Sequence, residues 1–214
     1  MKNIFLALIL VSFLACKNDK KEADNNPKTT EQENTPKEVI TNINVPEFST
    51  WGKVSVELED GDEMYSTELA HVISRTDTDS KSSYAHTRDI PVEYAEVYRA
   101  SVIVKKGDSG SLFGLRIAGE YPDRVDAVFN LETGEVKGVK KARDFENESA
   151  NIESLGSGWY KCSVMAEVTA DKVRLFLGPT TSDKAVNAWT VKTAEPTNAY
   201  VAVNSLKLEK ITLQ

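Results

Sequence analysis

From Phe48 to the C-terminus, no stretch of this chain sustains a helical period. Apolar residues recur instead at every second position over short runs rich in β-branched side chains, and turn signals separate the runs. The clearest run is Trp159–Val168, which follows the tight Gly156-Ser157-Gly158 turn. Tyr160, Cys162, Val164, Ala166 and Val168 share one face, and Trp159, Lys161, Ser163 and Met165 share the other. A strand with one apolar face must bury it, and a chain made of many such strands does so by stacking two sheets. The pattern predicts strands at Val54–Leu58, Glu68–Ser74, Tyr84–Ile90, Val97–Lys105, Leu112–Ala118 and Val125–Leu131. Further strands are predicted at Asn151–Leu155, Trp159–Val168, Val173–Leu177, Ala188–Lys192 and Ala199–Leu208. Turns are expected at Asp60-Gly61-Asp62, Lys106-Gly107-Asp108, Thr133-Gly134 and Gly178-Pro179. The expected fold class is all-β, a single β-sandwich of two antiparallel sheets spanning residues 48–214.

The N-terminal quarter reads differently. Residues 1–15 hold a charged start, a short apolar run from Ile4 to Val11 and a small residue, Ala15. This is the layout of a signal peptide, and the run is too short to span a membrane. Leu14-Ala15-Cys16 resembles a bacterial lipobox, which implies cleavage before Cys16 and acylation of that cysteine. Several acyl chains hold a protein on a membrane more firmly than one chain does. Residues 16–47 are mostly Lys, Asp, Glu, Asn, Thr and Pro, too polar to offset ordering entropy, so they are expected to be a flexible tether. Lys17-Asn18-Asp19-Lys20-Lys21-Glu22 is similar to the charged segment that marks surface export of lipoproteins in the Bacteroidetes. The implied location is the bacterial outer membrane, facing outward. With Cys16 acylated, Cys162 has no disulfide partner, and its apolar face predicts a reduced, buried thiol.

Three segments together carry a wider resemblance. They are Tyr98-Arg99-Ala100-Ser101-Val102-Ile103-Val104-Lys105, Phe129-Asn130-Leu131-Glu132-Thr133-Gly134-Glu135-Val136 and Gly156-Ser157-Gly158-Trp159-Tyr160-Lys161-Cys162-Ser163-Val164. In that order they resemble the jelly-roll carbohydrate-binding-module-like domain of bacterial polysaccharide-active proteins and phage tail proteins. The resemblance covers roughly residues 50–210. It implies a jelly roll, with non-catalytic carbohydrate binding at the cell surface as a monomer. An adhesion module that binds proteins and a diverged polysaccharide lyase are the alternatives.

Period-two reading places Tyr84, His86 and Arg88 on one face of their strand. It puts Arg116 opposite Phe113, Leu115 and Ile117, and Arg174 with Phe176 opposite the apolar Val173, Leu175 and Leu177. Lys161 lies on the polar side of its own strand. A groove collecting His86, Arg88, Arg116, Lys161, Arg174 and Tyr84 would suit an anionic polysaccharide. Aromatic rings pack on sugar C–H faces, and arginine offers forked donors to carboxylate or sulfate. Trp51, Tyr121 and Trp189 are additional candidates from edges and loops, each read either as a stacking ring or as a plug of the sandwich edge, whereas Trp159, fixed by its turn, reads as packing.

The resemblance also implies a site for a structural calcium ion between early and late strands. Glu57, Asp60 and Glu209, with Glu59, Asp62 and Asn204 nearby in sequence, offer the hard oxygen ligands for it. No other cofactor is expected. The net charge of −7 argues against a nucleic-acid partner. Catalysis has little to draw on, since the chain has two histidines and no nucleophile-elbow motif. The Arg-x-Glu-x-Arg, Gln-Ile-His and Tyr-x-Lys motifs of jelly-roll alginate lyases are missing, and Ser66-Thr67-Glu68-Leu69 is similar to a fragment only.

Overall fold

The computed structural model describes residues 37–77, 82–181 and 196–214. Fourteen strands run through them: β1 (Glu38–Ile43), β2 (Gly52–Val54), β3 (Val56–Tyr65), β4 (Glu68–Arg75), β5 (Tyr84–His86), β6 (Ile90–Pro91) and β7 (Glu96–Lys106). They continue with β8 (Leu112–Ala118), β9 (Arg124–Asn130), β10 (Glu135–Ala142), β11 (Glu146–Gly156), β12 (Trp159–Val168), β13 (Lys172–Thr180) and β14 (Asn198–Leu213). One 3-10 turn, Phe48–Thr50, is the only helical element among the described residues.

The strands form two antiparallel seven-stranded sheets, and the chain is an all-β sandwich as the alternation requires. The first sheet runs β11-β12-β7-β14-β4-β3, with β1 also on β14. The second runs β10-β9-β8-β13-β5-β2, with β6 also on β13. Between them Tyr98, Val102, Val104, Cys162 and Val164 meet Phe113, Leu115, Ile117, Phe129, Leu175 and Leu177, all fully buried. Each such apolar side chain contributes about 1.5–3 kcal/mol by leaving water. Cys162 lies in this layer as a free thiol whose pKa burial pushes well up, so it serves as a small apolar filler.

Several sequence expectations are corrected. The stretch read as tether through residue 47 contains β1, which pairs along β14 from Glu38↔Leu213 to Ile43↔Leu208. Lys37 and Gln214 exchange two backbone hydrogen bonds of 3.0 Å at its end. Asp60-Gly61-Asp62 is no turn but the middle of β3, and the reversal falls at Ser66-Thr67. Gly178-Pro179 likewise lies inside β13. The strand expected over Tyr84–Ile90 is broken at Thr87, and β10 was not anticipated. Cys16, Trp189 and the Ala188–Lys192 strand lie outside the described residues.

The longest strand, β14, has an unusual place. It pairs with β7 on one side, and its register shifts between Ala202 and Lys207. On its other side it pairs with β4 through Asn198–Val201 and with β1 from Leu208 onward. The central strand therefore changes partner midway.

Candidate functional site

The outward face of the second sheet gathers most of the polar and aromatic side chains that the alternation set opposite the core. Register decides which of them meet. Asp126 on β9 lies across from Arg116 on β8, Arg116 across from Phe176 on β13, and Phe176 across from His86 on β5. Four strands thus contribute one transverse row.

Within the row the aromatic rings contact one another. His86 stacks on Phe176 with centroids 5.4 Å apart, and Tyr84 meets the same ring edge-on at 5.1 Å. The Arg116 guanidinium sits 5.5 Å from the Phe176 centroid, within cation–π reach. His86 donates from Nδ1 to the Thr87 carbonyl at 2.9 Å, so that nitrogen is engaged locally. Its ring lies against Gly52, where a Cβ would collide with it, so β2 must carry glycine there for His86 to reach Phe176.

Asp126 anchors the row. It is fully buried, although it points away from the sandwich interior. It accepts hydrogen bonds from Arg116 and, at 3.2 Å, from Arg124 Nε. Arg124 in turn lies 5.8 Å from the ring centroid of Tyr121, in the turn between β8 and β9. One carboxylate therefore positions both a guanidinium on Phe176 and a guanidinium beside Tyr121.

Tyr121 is the most open aromatic at this site, 87% exposed. It borders a shallow cavity of about 280 Å³ with Gly119, Glu120, Asp89, Lys172 and Arg174. Arg174 and Lys172 both pair with Asp89, Lys172 at 3.2 Å. A guanidinium brings five N–H donors and an ammonium three, more than one carboxylate takes up. The cavity is thus a ring beside surplus donors. The other residues of the expected groove are elsewhere or differently employed. Lys161 belongs to β12 in the first sheet, because period two assigns a face but not a sheet. Arg88 follows the end of β5 in an exposed loop. Trp51 is 4% exposed and donates from Nε1 to the Pro46 carbonyl at 3.0 Å, so it plugs the sandwich edge. Trp159 is buried on the outer side of the first sheet with Tyr65 and Tyr200, consistent with packing.

The three carboxylates offered for calcium do not converge. Glu209 receives Arg99 Nε at 2.9 Å. Asp60 pairs with His71 at 3.2 Å, and His71 lies across from Val201, eight residues along β14 from Glu209. Glu57 and Asp60 differ in face, as their odd spacing in one strand demands. Among the described residues no group of three or more His, Cys, Asp or Glu side chains is placed to hold a metal.

The two aspartates of the outward face titrate in opposite directions. Hydrogen bonds from Arg174 and then Lys172 hold Asp89 below the usual carboxylate value. Burial pushes Asp126 above it, with the two arginines pulling back only in part. Asp89 thus adds stability that is present above the unfolded-state value and is lost as pH falls through its folded value. Asp126 does the reverse: its contribution is complete below the unfolded-state value and is lost as pH rises through its raised folded value. Carboxyl-carbon NMR titration is expected to resolve the two on either side of a free aspartate. Arg174→Ala should return Asp89 toward the ordinary value and leave Asp126 where it is. Two coincident, unshifted curves would contradict this arrangement.

No protein-family model matches the chain, and no curated protein matches it in sequence.

Proposed function

We propose that the domain binds carbohydrate without cleaving it, on the corner of the second sheet where Tyr121 faces Arg174 and Lys172. The observation that carries this reading is the pairing of an open aromatic ring with surplus N–H donors around one shallow cavity. A sugar ring packs its C–H face on the tyrosine, and its carboxylate or sulfate takes donors from Arg174 and Lys172. His86, Arg116 and Phe176 do not touch the ligand in this reading. They hold the sheet face that supports Arg124 and Tyr121. His86 is occupied by a backbone carbonyl and a stacked ring, which favours a binding role over a lyase role. The resemblance to jelly-roll carbohydrate-binding modules supports the same class.

Affinity electrophoresis with alginate, a sulfated algal glycan and neutral xylan tests the proposal. An anionic glycan should retard the protein, and rising salt should weaken the effect. Arg174→Ala is expected to weaken binding by about 1.5–3 kcal/mol, the scale of a hydrogen bond to a charged group. It should leave folding nearly intact, because the exposed pair with Asp89 is worth at most about 1 kcal/mol. Equal, salt-independent retardation by xylan, unchanged in the variant, would reject the anionic reading, and no retardation by any glycan would reject carbohydrate binding.

The same proposal places the domain on the outer membrane through a lipid on Cys16. Cys16→Ser is expected to move the protein from the membrane fraction to the soluble one. Unchanged partitioning, with no lipid mass on the N-terminal peptide, would remove the anchor.

A further inference from the structure

The partner change of β14 opens a second concavity. Where β14 leaves β4 and has not yet met β1, residues 203–206 bulge away from the ladder, and the chain from β1 to β2 passes alongside. The gap is a cleft of about 610 Å³, within the roughly 300–1,000 Å³ range of small-ligand sites. It shares no lining residue with the Tyr121 cavity.

Its floor is apolar. Val45, Phe48, Leu58, Val203 and Leu206 pack against the core yet remain only partly buried. Its rim is polar: Asp60, paired with His71 at 3.2 Å, stands with Lys53, Glu47 and Asn204. Both walls are pinned. On one side Trp51 Nε1 donates to the Pro46 carbonyl at 3.0 Å and Thr50 Oγ1 to the Glu47 carbonyl at 2.7 Å. On the other, Ser205 Oγ accepts from the Ile103 N–H at 2.8 Å and donates to the Ala202 carbonyl at 2.5 Å, while Asn204 Nδ2 donates to Glu68 at 2.6 Å. A cleft whose walls are already held loses little conformational freedom when filled.

We infer that this cleft is a second binding site, taking one or two residues of a neutral glycan. An apolar floor with an aromatic ring suits the C–H face of a sugar. Carboxylates at the rim accept from hydroxyls, and Lys53 and Asn204 donate to them. A wholly apolar ligand would strip water from Asp60 and Glu47 without replacing it. An ionic ligand of either sign would meet like charge at the rim, from Asp60 and Glu47 or from Lys53, with no net attraction. The cleft thus complements the Tyr121 corner, which faces charged groups.

The test is NMR shift mapping of the full chain with cellotetraose and with xylotetraose, alongside the uncharged apolar dye N-phenyl-1-naphthylamine. One oligosaccharide is expected to move the amides of Lys53, Asp60, His71 and Asn204. Asp60→Asn, at an exposed side chain that folding does not require, should weaken that binding by about tenfold, the scale of one charged hydrogen-bond partner. Lys53→Ala serves as a second exposed variant, and Tyr121→Ala should leave the neutral sugar unaffected. Failure of both oligosaccharides at millimolar concentration overturns the inference. So do shifts centred on Tyr121 and Arg174, or occupancy of the cleft by the dye alone. Loss of anionic-glycan binding in Arg174→Ala but not in Asp60→Asn would keep the first site intact whatever the cleft does.

Discussion

Asp126→Ala is expected to destabilise the domain by about 3–5 kcal/mol, the cost of breaking a buried ion pair from one side. Arg116 and Arg124 are 13% and 15% exposed at their side chains, and without the carboxylate both guanidiniums would lose the counter-charge they share. For a domain of this size the loss corresponds to a melting temperature lower by roughly 6–20 °C. Arg116→Ala should also destabilise, although its side chain lies opposite the core. Alternation alone suggests that such an arginine is dispensable for folding, but its partner is a fully buried carboxylate. The triple variant Arg116→Met, Arg124→Met, Asp126→Leu should recover most of the loss, since matched apolar replacement of a buried ion cluster is often neutral. Chemical denaturation of the three variants is the measurement. An Asp126→Ala domain within about 0.5 kcal/mol of wild type, the scale of an ordinary surface change, would mean that the cluster carries no structural weight.

Trp51→Ala is the second large effect. The indole is 4% exposed, meets Phe48 edge-on at 5.0 Å and fixes the Pro46 carbonyl. Truncating a buried tryptophan costs about 3–5 kcal/mol. The variant should also loosen the wall of the cleft beside β14, because Pro46 lines it, so any ligand there should be lost with the stability. Trp51→Phe keeps the edge contact without the N–H donor and should lose much less. A denaturation midpoint for Trp51→Ala that matches wild type would mean that the indole carries no structural weight.

Period two was readable wherever one strand face was apolar without interruption. β8 and β12 fall on the residues that alternation marks, with Phe113, Leu115 and Ile117, and Cys162 and Val164, pointing inward. Concealed strands had physical reasons to be concealed. β10 is an edge strand carrying Lys137, Lys140 and Lys141, the charges that discourage edge pairing and also mask the pattern. β1 sits in a polar stretch because it needs only the flank of β14. Gly61 mimics a turn signal, but glycine is needed there because a Cβ would strike the Ala70 carbonyl and the Tyr200 ring. The site was legible to the same extent. The faces of Arg116, Arg174 and His86 followed from alternation, but their neighbours did not. Only strand order separates Lys161 from Arg116, and only register sets Asp126 beside Arg116. Asp89 and Lys172, which complete the Tyr121 cavity, carried no pattern at all. Their significance comes from β6 and β13 meeting at Lys172↔Pro91.

The position of β14 also sets the order in which this chain becomes a protein. The sixteen-residue β14, which follows all its partners in sequence, is the strand that joins β7 to β4 and β1. Until it arrives, β11-β12-β7 and β3-β4 are separate fragments of one sheet, and neither can cover the inner face of the other. The first sheet therefore closes only once β14 has been made, and the pairings that close it join residues distant in sequence. Loss of β14 would thus divide the first sheet in two rather than remove one strand from it.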